Sequence, residues 1–213
     1  MRRHSGWHDR PQWYASALKS LVVVREMAVT GQLGNDLQPQ GAWSGERIRQ
    51  AIRRDPPLIA GYRDLAEQVQ PNGFDLTLAQ LSRLSGAGAL PADSAGRVLP
   101  ALEPIELPAD GVVLLEPGPY QIGFNETVRI PTTVMALGRA RSTLNRSGVT
   151  IHTAVWDAGY VGRSTALLSV LNPAGFAVGL NARVLQLIFF DLSEEVVSGY
   201  DGQYQFEGTA PGK

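Results

Sequence analysis

From Ile105 onward the chain is a series of short apolar stretches separated by Gly, Pro and Asn turns. The stretches fall at 111–115, 120–124, 127–130, 134–137, 149–155, 166–171, 176–180 and 183–190, and no helical period intervenes. In the fifth of them Val149, Ile151 and Val155 fall on one face. Closely spaced strands with such turns predict a mainly β fold, a barrel or jelly roll, with a few helical turns on its N-terminal side.

Upstream the pattern changes. Ser44 can cap a helix that carries Glu46 in its positive first turn and Arg53 and Arg54 in its negative last one, before Asp55-Pro56-Pro57 ends it. Its arginines read as a solvated face. Phe74, Leu76 and Leu78 alternate with Asp75 and Thr77 after the turn at 70–73, which predicts a strand with a carboxylate on its polar side. Residues 84–104 are rich in Gly, Ala, Ser and Pro without a clear period and predict a long surface excursion. Nearer the start, Trp13, Ala17, Leu21, Val24 and Ala28 recur at helical spacing over 12–29, yet Val22, Val23 and Val24 suit a strand equally, and both readings stay open. The polar, turn-rich segment 30–41 then reads as a linker, dividing an N-terminal extension (1–40) from the main domain (41–213).

Composition narrows the chemistry. The 213 residues are 44% hydrophobic and 18% charged with a net charge of -1, which gives no support for a nucleic-acid or membrane partner. There is no cysteine, so disulfides, thiolate metal sites and thiol nucleophiles are excluded. The basic start is followed by no apolar run of signal-peptide length, and no stretch approaches a membrane span; the cytoplasm is the simplest location.

The candidate chemistry centres on Val155-Trp156-Asp157-Ala158-Gly159-Tyr160-Val161-Gly162. One acid, two glycines and a tyrosine between apolar segments suit the floor of a ligand site, since glycine lets backbone approach a ligand. The same residues suit an ordinary hairpin connection, and the octapeptide alone does not choose. Taken singly, Arg141 and Arg146 would be surface charges, Gln186 a polar strand residue and Asp75 a turn cap.

In order along the chain, Asn72-Gly73-Phe74-Asp75-Leu76, the segment 140–148 around Arg141-Ser142-Thr143, the segment 157–162, and Ala182-Arg183-Val184-Leu185-Gln186-Leu187 resemble four motifs of the dUTPase and dCTP deaminase superfamily. The resemblance runs from about Trp43 to the C-terminus. It implies a distorted jelly roll assembled as a homotrimer with sites at subunit interfaces, acting on a deoxyuridine or deoxycytidine triphosphate with Mg²⁺. By position, Asp157 matches the acid that holds the attacking water and the sugar 3′-hydroxyl. Tyr160 matches the ring beneath the deoxyribose. Arg141, Ser142 and Thr143 match the phosphate-binding segment, with Thr143 in place of a serine, and Arg146 joins them. Gln186 matches the glutamine of the fourth motif, and Asp75 the acid that reaches the metal's water shell. The tail, 198–213, is similar to the deaminase type, whose Lys-Tyr-Gln element gives Tyr204 and Gln205 as substrate-binding residues, with Gln203 where the lysine would stand.

The residues suit phosphoanhydride cleavage. A guanidinium such as Arg141 grips phosphate bidentately, hydroxyls donate beside it, and a carboxylate orients water. Deamination instead needs a proton carrier, which in the deaminase branch is a glutamate on the strand after the Asp-x-Gly turn. No Asp or Glu occurs from Ala158 through Phe190, and the His-x-Glu and Cys-x-x-Cys of zinc deaminases are missing. The expectation is a Mg²⁺-dependent dUTP diphosphatase. A nucleotide-binding regulatory module and a dCTP deaminase with a substituted proton carrier are the alternatives.

Overall fold

A computed structural model of the chain describes residues 41–209; the extension 1–40, with its helix-or-strand segment at 12–29, and the last four residues of the tail lie outside the described residues. In chain order the elements are α1 (Gly45–Ile52), β1 (Ile59–Ala60), α2 (Leu65–Gln68), β2 (Val69–Gln70), β3 (Gly73–Ser85), β4 (Ala101–Pro104), β5 (Val113–Leu115), β6 (Gly118–Phe124), β7 (Thr127–Arg129), β8 (Val134–Ala140), α3 (Ser142–Arg146), β9 (Val149–His152), β10 (Val161–Gly162), β11 (Thr165–Val170), β12 (Phe176–Val178) and β13 (Arg183–Asp191).

The main sheet runs β8-β13-β3-β6-β11-β9, with β2 and β4 also paired to β3. Its two ends come together, since α3 joins β8 to β9 and Ala136 of β8 forms a bridge with Trp156. The result is a nearly closed, mainly β barrel, flanked by the small sheets β1-β7-β10 and β12-β5. This is the fold class expected from the strand pattern. Phe74, Leu76, Leu78, Ile122, Leu168, Leu185 and Phe189 are wholly buried in its core, each worth about 1.5–3 kcal/mol of burial.

Several local expectations change. The Ser44 side chain does cap α1, accepting from the Arg47 backbone N at 3.3 Å, but the helix stops at Ile52 with Arg53 as its C-cap, so Arg53 and Arg54 fall beyond the last turn and Arg49 occupies it. Arg47 is more than a solvated charge. Its guanidinium forks onto Asp191 with two bonds of 2.6 Å and lies 4.1 Å from the centre of the Trp43 ring, fastening α1 to the end of β13. The excursion at 84–104 is exposed, as expected, but it is the outer half of a hairpin, with β3 returning as β4 and Ala89 bridging Val98. A short helix, α3, breaks the run of strands; one turn burying only Leu144 leaves no period to read. The strand expected over 149–155 ends at His152, and Val155 is 47% exposed.

Strand β3 shows what alternation can and cannot tell. Phe74, Leu76 and Leu78 do share a face, but Asp75 and Thr77 opposite them are also buried. That second face is covered by charge and hydrogen bonds. Glu126, fully buried, accepts from the Thr77 backbone N (2.9 Å), Thr77 Oγ1 (2.6 Å) and Gln68 Nε2 (2.7 Å). Gln68 Nε2 also donates to the Asp75 carbonyl at 2.8 Å. Buried donors are thereby satisfied, as the energetics of desolvation require.

Candidate active site

The expected site residues fall into two groups. The first lies across β8, β13 and β3. Arg141 stands at the end of β8 as the N-cap residue of α3, and its Nε is 3.0 Å from Asp75 Oδ2. Arg183 Nη1 approaches the same oxygen at 3.7 Å, while Nη2 pairs with Glu67 at 3.1 Å. Gln186 on β13 is in register with Asp75 of β3 and Arg139 of β8, and its side chain packs on Gly73, where a Cβ would come within 2.8 Å of Nε2. Ser142, Thr143 and Arg146 project from α3 and are exposed. Together they form a strip of donors and positive charge suited to phosphate oxygens.

Asp75 lies beneath that strip with both carboxylate oxygens enclosed and neither accepting a hydrogen bond. Burial pushes its carboxyl up to about 6, against the pull of Arg141 and then Arg183. Burial wins because the guanidinium nitrogens are near but not aligned to donate.

The second group surrounds the segment 155–162. It is not a two-residue hairpin turn: the chain leaves β9 at His152 and rejoins the sheet at Thr165. Asp157 and Tyr160 both line a cavity of about 430 Å³, together with Trp156, Ser164, Tyr204 and Glu207, a volume in the range of small-molecule sites. Asp157 is exposed to water, whereas Tyr160 is buried. Trp156 Nε1 donates to Ser164 Oγ at 2.6 Å, fixing the indole as one wall. Gly159 has a φ of +89°, and a Cβ there would come within 2.6 Å of Gly199 Cα, so only glycine lets the tail cross the turn at this point.

The tail is stitched onto the turn by backbone as well as side chains. The Tyr200 N donates to the Ala158 carbonyl (2.8 Å), Phe206 N to Val161 O (2.7 Å) and Arg163 N to Glu207 O (2.8 Å). Gln205 accepts from Val161 N at 2.8 Å and donates to the carbonyls of Gly159 and Tyr200, each at 3.0 Å, so its amide is held by protein backbone. The Tyr160 hydroxyl donates to Glu207 Oε1 at 2.9 Å. Burial and the adjacent Glu207 carboxylate push the Tyr160 phenol well above its ordinary value, and burial raises the Glu207 carboxyl while the bond from Tyr160 opposes it.

Among the described residues no lysine or arginine lines this cavity, and Arg141, Ser142, Thr143, Arg146 and Gln186 are not in its wall either. Glu207, Trp156, Ser164 and Tyr200 join the cavity without having been singled out by the sequence. Glu207 bears directly on the search for a proton carrier, because it brings a carboxyl to the cavity from outside 158–190.

Comparison with known proteins gives a consistent picture. A family model described as dCTP deaminase-like matches residues 42–192. A Methanosarcina mazei protein named "Probable deoxyuridine 5'-triphosphate nucleotidohydrolase" is 46% identical over 166 residues, covering 78% of this chain and 97% of that one. An Archaeoglobus fulgidus protein of the same name is 45% identical over 164 residues, covering 77% and 95%. Among solved structures, the 2′-deoxycytidine 5′-triphosphate deaminase of Agrobacterium tumefaciens superposes with a TM-score of 0.58 at 20% identity, over 73% of this chain and 49% of that one.

Proposed function

The chain belongs to the dCTP deaminase-like family, and from that premise we propose that it is a dUTP diphosphatase, hydrolysing dUTP to dUMP and pyrophosphate. The observation that carries this reading is the presentation of Asp157 and Tyr160 in one cavity, followed by a strand, β11, that has no carboxylate. Relatives covering nearly their whole length with this chain bear the name of that activity.

Asp157, open to solvent at the cavity, accepts a hydrogen bond from the attacking water and takes up its proton as the oxygen bonds to the α-phosphorus and pyrophosphate departs. Such a base is worth about 10²- to 10⁴-fold. Tyr160 lies under the deoxyribose, and Trp156 walls the nucleoside end. The cavity suits the uncharged part of the nucleotide, since its only ionisable carboxyls are those of Asp157 and Glu207 and no cation lines it among the described residues. The triphosphate therefore needs cations from elsewhere. Arg141 and Arg146 supply that charge best from a neighbouring copy, with Ser142, Thr143 and Gln186 as neutral donors beside them, which favours the homotrimer with its sites between subunits.

Mg²⁺ fits as an ion borne by the substrate. Among the described residues no group of three His, Asp or Glu is placed to hold a metal, and Mg²⁺ prefers phosphate oxygens and water. Bound there, it would supply positive charge to the phosphate oxygens. Asp75, which the resemblance gives as the acid reaching the metal's water shell, is enclosed beneath Arg141, and on this reading it acts on the site through its charge beside Arg141. A cytoplasmic location fits a nucleotide substrate; among the described residues no helix is long and apolar enough to cross a membrane.

A product assay with Mg²⁺ on dUTP and dCTP separately tests this, following pyrophosphate and ammonia together. Pyrophosphate from dUTP without ammonia from dCTP is the expected result, and Asp157→Asn abolishes turnover while leaving nucleotide affinity nearly intact. Ammonia from dCTP would overturn the reading and direct attention to Glu207 as proton carrier. Binding without either product would make the chain a nucleotide-binding module.

A further inference from the structure

Tyr160 is held on three sides. Its ring crosses Gly162 so closely that a Cβ there would lie within 2.8 Å of Tyr160 Cζ and 3.3 Å of Glu207 Cγ. The Tyr200 ring meets it edge-on, with centroids 5.7 Å apart and planes at 69°. Its hydroxyl donates to Glu207 Oε1 at 2.9 Å. Two of these three restraints, Tyr200 and Glu207, come from the tail, and Glu207 is held by a backbone bond at the residue before it, Phe206 N to Val161 O, and by one at its own carbonyl, which accepts from Arg163 N. The carboxyl is thus placed by main chain, and among the described residues its side chain has one polar partner, Tyr160, in the same cavity as Asp157.

The geometry points to Glu207 as a positioning residue that fixes the Tyr160 ring, so that selection of a 2′-deoxy sugar is complete only when the tail is docked. The inference rests on the proposed placement of the sugar over Tyr160. A ring free to tilt leaves room beside C2′, and a ring pinned at its hydroxyl does not. Discrimination between deoxyribose and ribose then depends on a residue that need not touch the sugar. Any perturbation of the tail that withdraws Glu207 relaxes that choice while leaving Asp157 in place.

The test uses the full chain and two readouts. Calorimetric titration with dUMP and with UMP compares the wild type, Glu207→Ala, Glu207→Gln, Tyr160→Phe and the double variant Tyr160→Phe/Glu207→Ala. Glu207→Ala is expected to weaken dUMP and to narrow the dUMP-over-UMP preference about tenfold, as for loss of a hydrogen bond to a charged group. Glu207→Gln restores most of it, because the amide oxygen still accepts. In the Tyr160→Phe background Glu207→Ala adds nothing further. An unchanged preference in Glu207→Ala, or an effect of equal size with and without the Tyr160 hydroxyl, would overturn the inference. The Tyr160 ring resonances of the nucleotide-free chain give a readout independent of any ligand: Glu207→Ala alters them and Glu207→Gln does not, and unaltered resonances in Glu207→Ala would also overturn it. Turnover of dUTP by the wild type is measured alongside. Failure there with the binding pattern intact refutes the diphosphatase and leaves the positioning role standing.

Discussion

Asp75→Asn isolates the electrostatics beneath the Arg141 and Arg183 guanidinium groups. The wild-type carboxyl is raised from 3.8 to about 6, with burial the largest cause and the Arg141 and Arg183 charges opposing it. In the unfolded chain the group loses its proton near 3.8, whereas in the fold it keeps it until about 6. Between those values the folded state binds more protons, so stability falls as pH rises through that window. The full displacement corresponds to about 3 kcal/mol, present below pH 4 and lost above pH 6. Asparagine keeps the shape and cannot titrate. Urea unfolding of both proteins at half-unit steps from pH 4 to 7, with the difference between the two curves taken at each pH, cancels every other carboxyl. The difference curve is expected to fall toward pH 6 and then flatten. A flat difference across the whole range, or one rising with pH, would refute the claim that burial outweighs the two arginines; a rise in particular would mean that Arg141 and Arg183 hold the acid ionised, as aligned ion pairs do.

Two further substitutions probe the frame around the site. Glu126→Ala removes the acceptor of the Thr77 N–H and the Thr77 hydroxyl and one of the two acceptors of the Gln68 amide, and is expected to cost about 1–3 kcal/mol in urea unfolding for each donor left without a partner; a total loss under about 1 kcal/mol would mean that water takes the place of the Glu126 side chain. Gly162→Ala puts a methyl within 2.8 Å of Tyr160 Cζ, so the ring must move, dUMP affinity must fall, and overpacking costs about 1–3 kcal/mol of stability; unimpaired binding would show that the ring's position over Gly162 does not matter.

What the sequence made legible was local. The strands at 118–124, 165–170 and 183–191 declare themselves because each alternates or runs apolar between turn residues, and the Asp157–Tyr160 turn is one contiguous motif whose two side chains reach the same cavity. Asp75 shows where the logic stops: alternation separates the two faces of a strand but does not say which face meets water, and β3 is covered on both. Helix α3 was invisible for the opposite reason, since five residues with a single buried leucine have no period. Glu207 is hidden by distance, as its partner Tyr160 is 47 positions away and nothing in the tail's composition signals a docked strap.

The separation of the two residue groups carries a mechanistic consequence. A nucleoside triphosphate is neutral at one end and highly charged at the other, and on the proposed reading the groups that receive the two ends lie apart: an apolar and aromatic cavity containing carboxylates, and a strip with half-buried Arg141 and exposed Ser142, Thr143 and Arg146. Carboxylates beside a triphosphate would repel it, so a water-holding acid is tolerable only where the cations are brought in over the phosphates when the substrate binds. In the proposed homotrimer, joining copies of the chain would accomplish this without placing Arg141 next to Asp157 in the free subunit, where the two would pair and neutralise each other. On the proposed reading, then, a monomeric variant should still bind deoxyuridine while losing the gain in affinity that each added phosphate confers. Titration of deoxyuridine, dUMP and dUDP against such a variant measures that directly: affinities rising with phosphate number in the monomer would mean that the phosphate grip is supplied within one chain.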